Sequence, residues 1–169
     1  ARWIPGTEMP ADEWSRELAL EDRGDWSVHQ HIFMGLCERL RFRPKIDLMA
    51  SRLNKKLPRY FSFRPAPHAL DFDALSDDKD WGKEDAYIAP PEHLVGKVLA
   101  KIQRDKARVL LLAPWWPEAR WWNTLMTLTT DKVRVHMTDE NVQVNQGQDP
   151  RRWPGACAVA ALVDASTTR

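Results

Sequence analysis

Apolar and polar positions change period along this chain, and the changes mark out its elements. The strongest signal is Val109 to Ala113, five consecutive apolar residues that follow Arg108 and stop at Pro114. An unbroken apolar run of that length, closed by a proline, predicts a strand buried on both faces, the usual condition of a parallel sheet. Upstream, Val28, Ile32, Phe33, Leu36, Cys37 and Leu40 recur at helical spacing. They predict an amphipathic helix of about three to four turns, opened by an Asp25 N-cap and ended before Pro44. Lys45 to Ser51 reads as a strand, Arg59 to Phe63 as a second extended run, and Ala86 to Ala89 as a short strand closed by Pro90-Pro91. Leu94, Val95, Val98, Leu99 and Ile102 form one face of a helix from about Glu92 to Arg104. Another helix is predicted from Glu118 to Leu128. Strand, helix and strand at this spacing make a right-handed βαβ unit.

The last third changes period. Lys132 to Met137 and Asn141 to Gln146 alternate on either side of Asp139-Glu140, the pattern of a half-buried hairpin. Ala156 to Val163 is a continuous apolar run and predicts a final strand, followed by a polar tail. The expected architecture is α/β, a parallel core closed by an antiparallel hairpin and a final strand. Residues 17 to 25 are highly charged and end near Gly24, which predicts a linker. The expected division is therefore a tail and linker over 1–24 and a domain over 25–169.

Composition narrows the picture. A chain of 169 residues suits one domain with a sizeable core. Charged residues make up 29% with a net charge of +1, which excludes a uniformly basic surface and leaves only local patches. Lys55, Lys56, Arg59, Arg151 and Arg152 are the candidate phosphate contacts. Nine tryptophans against two tyrosines point to aromatic anchors for a partner or a stacked base. Cys37 and Cys157 are far apart, and no Cys/His cluster has zinc spacing, so neither a disulfide nor a metal is expected. Asp71, Asp73, Asp77, Asp78 and Asp80 lack the spacing and turn glycine of a calcium loop and read as a solvated loop over Pro65 to Asp85. No apolar run reaches 18 residues, so no membrane span is expected. No signal peptide is visible, and an intracellular location is the expectation. Ala1 in place of an initiator methionine suggests a fragment or a processed product.

Candidate chemistry gathers at three strand ends: Asp47 with Ala50, Ser51 and Asn54; Ala89-Pro90-Pro91-Glu92; and Ala113-Pro114 with Trp115, Trp116, Trp121 and Trp122. If the strands are parallel, all three share the sheet edge at which open α/β folds bind ligands. A Pro-Pro step holds the backbone extended, so its carbonyls are candidates to accept from an exocyclic amine. The alternative is a plain proline-initiated helix.

In this order the segments DLMASRLNKKLPRYFS, DALSDDKDW, YIAPPEHLVGKVL, VLLLAPWWPEARWW and ACAVAALV resemble the phage-type DNA N6-adenine methyltransferase (Dam-like) domain. The resemblance runs from about Trp26 to Asp164. It is closer to the version that follows RNase H in the pol polyprotein of DIRS-like, tyrosine-recombinase retrotransposons. The opening WIPGTEMPADEWSR is similar to the end of such an RNase H, with Asp12 at the place of its last catalytic carboxylate.

The resemblance implies a Rossmann-like class I methyltransferase fold using S-adenosylmethionine. Asp47, Ala50 and Ser51 would belong to the first cofactor-binding strand and turn, and Asp73 would lie near the cofactor's adenine ring. Ala89, Pro90, Pro91 and Glu92 stand where the family has its catalytic Asn/Asp-Pro-Pro-Tyr/Phe motif. Here the chain departs from the family. Ala89 offers no acceptor to a target amine, Glu92 offers no ring to a flipped base, and DLMASR contains no glycine. Loss of one positioned hydrogen-bonding group typically costs about 10²–10³ in rate. The expectation is therefore a degenerate, non-catalytic domain of retroelement origin. It would act as a binding or scaffolding module for nucleic acid or other protein subunits, with the four tryptophans as interface anchors. The alternative is an active S-adenosylmethionine-dependent DNA adenine methyltransferase of a retrotransposon polyprotein.

Overall fold

Residues 26–138, 140–144 and 156–166 are described by the computed structural model. The tail and linker expected over 1–24 lie outside these residues. The central sheet contains β2 (Ile46–Asp47), β5 (Ala86–Ile88), β6 (Arg108–Pro114), β9 (Cys157–Asp164) and β7 (Thr129–His136), side by side in that order. β2, β5 and β6 are parallel, and β9 runs antiparallel between β6 and β7. β3 (Phe61–Ser62) continues the parallel set beyond β2 through a bridge from Asp47 to Tyr60, and β4 (Asp71–Phe72) pairs parallel with β3. The Asp47 and Ala50 amides donate to the Arg59 and Phe61 carbonyls, each at 3.0 Å. The fold is mixed α/β with a mostly parallel sheet.

The side-chain period of β6 explains the layering. Val109, Leu111 and Ala113 enter one core with Val95, Val98, Leu99 and Ile102 of helix α2 (Val95–Asp105) and Leu125 and Leu128 of helix α3 (Trp122–Leu128). Leu110 and Leu112 enter a second core with Phe33, Leu36 and Leu40 of helix α1 (Gln30–Leu40). A strand with helices on both sides has no polar face, hence the unbroken apolar run. Ala158, Ala160 and Ala161 keep β9 thin, so both cores close over it.

Two sequence expectations are corrected. The alternating segments do not form a hairpin. β7 pairs with β9, whereas β8 (Val142–Val144) pairs antiparallel with β1 (Trp26–Val28). Val133 and Val135 need a core-facing partner, and β9 supplies it with Ala160 and Ala158 opposite them. The first helix also starts later than expected. Trp26–Val28 is the strand that β8 requires, and His29 occupies the N-cap position of α1. None of the described helices is long and apolar enough to cross a membrane.

The segment expected as a solvated loop, Pro65 to Asp85, is tied to the core. A 3₁₀ turn over Trp81–Lys83 buries Trp81, and several acidic residues of the segment are ion-paired. Asp77 meets Arg104 at 2.7 Å, Asp71 meets Lys79 at 2.5 Å, and Glu84 meets Arg59 at 2.7 Å. At the end of α2, Lys106 adopts φ 52 with its side chain exposed. This left-handed conformation closes the helix, since the Ala107 amide reaches the Ile102 carbonyl at 3.0 Å, but it strains any residue with a Cβ. Lys106→Gly is expected to raise stability by about 0.5–1 kcal/mol, seen as a rise of roughly 1–4 °C in thermal midpoint.

Candidate functional site

The chain leaves β2 towards β3 and β4, then returns past β2 to β5. Strand order therefore reverses between β2 and β5, and the crevice beyond their carboxyl ends is where open α/β sheets bind ligands. The structure brings Ala50, Ser51 and Ala89 to Glu92 to the two sides of this point. Trp115 follows the neighbouring strand β6 at the same edge. Asp73 follows β4, two strands from the reversal, exposed and with φ 53.

The four positions expected to serve a cofactor do not form one cradle. Asp47 is 2% exposed and lies opposite Tyr87, in the core beneath α1. Its Oδ2 accepts the Lys56 amide at 3.0 Å, while its Oδ1 has no partner among the described residues. Ala50 is buried. Ser51 is 4% exposed, and its hydroxyl accepts the Leu53 and Asn54 amides at 3.2 and 3.1 Å. The Asn54 side chain accepts the Ser51 amide in return. No helix follows β2, and the chain turns directly towards β3. With Asp47 and Ser51 committed inside the protein and only Asp73 exposed, these residues do not fit S-adenosylmethionine.

The Pro-Pro segment follows the plainer of its two readings. Pro91 caps a 3₁₀ turn over Glu92–Leu94, and its carbonyl accepts the Leu94 amide at 2.9 Å. The reading of both proline carbonyls as candidate acceptors for an exocyclic amine is thus corrected for Pro91, whose carbonyl is taken by the turn. Pro90 is buried, Ala89 is partly buried against the α1 side, and Glu92 points to solvent. The segment holds neither a side-chain acceptor at 89 nor a ring at 92.

The tryptophans divide by environment. Trp122 is 9% exposed and belongs to the core. The Trp115 ring meets it edge-on at 5.4 Å, and Trp121 lies tilted against it at 6.1 Å. Trp116 alone of the four is largely outward, 43% exposed. The Arg134 guanidinium stacks 4.6 Å from the Trp115 ring centroid.

Arg134 belongs to a set that sequence reading missed. Lys132, Arg134 and His136 lie opposite Ala161, Val159 and Cys157 and therefore share the α3 side of β7, all three exposed. His136 Nδ1 is also 3.4 Å from the Cys157 sulfur. The alternation KVRVH was a usable signal, but the face carrying the cations depends on pairing with β9.

The candidate phosphate contacts fare differently. Lys56 is buried, with its Nζ 3.4 Å from the Ser27 hydroxyl. Arg59 makes two 2.7 Å hydrogen bonds to Glu84. Lys55 lies over the Tyr60 ring at 5.7 Å, and Arg151 and Arg152 lie outside the described residues. Among the described residues no group of three or more His, Cys, Asp or Glu side chains could hold a metal ion. Comparison with protein-family models, with curated proteins and with solved structures finds no match to this chain.

Proposed function

We propose that this chain is a Rossmann-like, Dam-like methyltransferase-fold domain of retroelement origin that has kept its sheet and lost its reaction. It acts as a binding or scaffolding module in a larger protein or nucleoprotein complex. The fold part of this reading is supported by strand order. Taken as β4-β3-β2-β5-β6, the parallel strands follow the doubly wound order 3-2-1-4-5. An antiparallel last strand is inserted beyond them. The loss of reaction is supported by Ala89 and Glu92 at the degenerate motif and by the burial of Asp47 and Ser51.

The observation that carries the binding role is the surface at the carboxyl end of β6, where Trp116 stands exposed beside Trp115 and its stacked Arg134. An outward tryptophan backed by a rigid aromatic cluster is the anchor that interfaces favour. Trp116→Ala is expected to leave stability within about 0.5 kcal/mol of the parent. It should weaken binding to whatever nucleic acid or subunit copurifies with the chain by about 30-fold, as for a hot-spot residue. Unchanged binding would overturn the reading. Calorimetry with S-adenosylmethionine at high micromolar concentration is expected to give no heat. Saturable heat together with methyl transfer to adenine would establish the alternative, an active adenine-N6 methyltransferase.

A further inference from the structure

We infer that the surface formed by Trp116 and the exposed face of β7 binds single-stranded nucleic acid. The inference rests on the binding-module reading and names the partner. Lys132, Arg134 and His136 stand at every second position of one strand, on one face, and all are exposed. Two residues of strand advance about 6.6 Å, close to the step between phosphates of an extended single strand. The row therefore presents cationic or hydrogen-bonding groups at a repeat that a stretched sugar-phosphate backbone can follow.

Neither Lys132 nor Arg134 is ion-paired to a described acidic residue, unlike Arg59, Lys79 and Arg104 across the molecule. The neighbouring carboxylate, Asp131, is turned to the Lys132 amide at 2.8 Å. The Arg134 guanidinium lies over the Trp115 ring, so its charge is positioned before a ligand arrives. Trp116, the next residue after Trp115, supplies an outward aromatic side chain. Aromatic faces accept any base, and cations track the backbone without reading sequence, which is the arrangement single-strand binders use. A duplex keeps its bases stacked internally and offers nothing to Trp116.

The test is fluorescence anisotropy of the whole chain with labelled 12-nucleotide single strands of DNA and of RNA, and with the matching duplex, over a salt series. Single strands are expected to bind at least 10-fold more tightly than duplex. The logarithmic salt slope should be about −1.4, from the two phosphates that Lys132 and Arg134 would neutralise. Trp116→Ala should weaken binding by about 10- to 100-fold. Lys132→Glu with Arg134→Gln should weaken it at least as much and flatten the salt slope, while Lys97→Glu on α2 should not. The DNA and RNA arms show whether the 2′-hydroxyl contributes. Circular dichroism of each variant separates lost binding from lost fold, and Lys132→Glu alone changes an exposed, unpaired side chain. Duplex preference, absent binding, or binding indifferent to both sets of substitutions overturns the inference. If no strand binds and Trp116→Ala still releases a protein subunit, this inference fails while the module reading stands.

Discussion

Trp81→Ala is expected to lower stability by about 3–5 kcal/mol, a fall of roughly 6–20 °C in thermal midpoint for a chain of this size. Trp81 is 3% exposed inside a segment whose composition suggests a surface loop. Three attachments meet on it. The indole N–H donates to the Ala74 carbonyl at 2.9 Å, and the Trp81 amide donates to the Asp105 carboxylate at 3.0 Å. The Lys101 ammonium lies 5.4 Å above the ring. Lys101 is itself 3% exposed and meets Asp105 at 3.0 Å. Removing the ring leaves a cavity, strands a buried carbonyl and takes the aromatic face from a buried cation. The structure has little room to collapse there. A Cβ on the adjacent Gly82 would come within 2.4 Å of the Asp105 carbonyl oxygen, so the 3₁₀ turn already rests on the end of α2. Trp81→Phe keeps most of the packing and loses the hydrogen bond, and is expected to cost about 1–3 kcal/mol. Urea denaturation of both variants checks the order. A cost below 1 kcal/mol for Trp81→Ala would mean that the turn is peripheral to the core.

This attachment was hidden in the sequence because its partners are distant. Trp81 is 24 residues from Asp105, Arg104 is 27 from Asp77, and Arg59 is 25 from Glu84. No local pattern records such pairs. Elements whose signal is local were legible: the run in β6, the apolar face of α2 and the final strand β9 lie within a few residues of their expected bounds. The hairpin failed for a physical reason. Alternation reports that one face of β7 is buried, but a half-buried strand fits any neighbour presenting apolar positions in register, and Ala158 and Ala160 do so. Residues 26–28 show the same limit. They form a strand because β8 lies beside them, overriding their place at the head of a helical pattern. At the candidate site, the convergence of three strand ends followed from reading the strands as parallel. The direction of each side chain did not. Asp47 and Tyr87 pair across β2 and β5 and both turn towards α1, so a residue at a ligand-binding edge in sequence is a core residue in space.

That burial predicts an unusual pH dependence. Desolvation pushes the Asp47 carboxyl up to about 7, against the opposing pull of the Lys56 and Met49 amides and of the Lys56 and Lys55 charges. The groups acting on its surroundings include Tyr87, itself held well above its usual range by burial, then by Asp47 and Cys37. Lys56 is lowered by burial and partly restored by Asp47. Because the folded-state pKa of Asp47 exceeds its ordinary value of 3.8, the native state holds a proton that the unfolded chain has released. This contribution is fully present below about pH 4 and is lost as pH rises through about 7. The gap corresponds to about 4 kcal/mol. Carboxylates such as Asp105 and Glu84 work in the opposite sense. For Asp105, burial raises the pKa, but the Trp81 amide, Lys101 and Arg104 outweigh it, and Arg59 lowers that of Glu84. Their contributions are present above the carboxylate range and are lost only as pH falls below it, so a window from about pH 4.5 to 8 isolates Asp47. Asp47→Asn mimics the protonated acid and still offers an oxygen to the Lys56 amide. It is expected to lie within about 1 kcal/mol of the parent near pH 4.5 and to exceed it by about 2–4 kcal/mol at pH 8. Chemical denaturation across the window checks this. A parent stability that stays flat from pH 4.5 to 8 would mean that Asp47 keeps an ordinary pKa and is reached by solvent. That outcome would also reopen the edge of β2 to a ligand, since a solvated carboxylate there would be available for recognition instead of being closed inside the core.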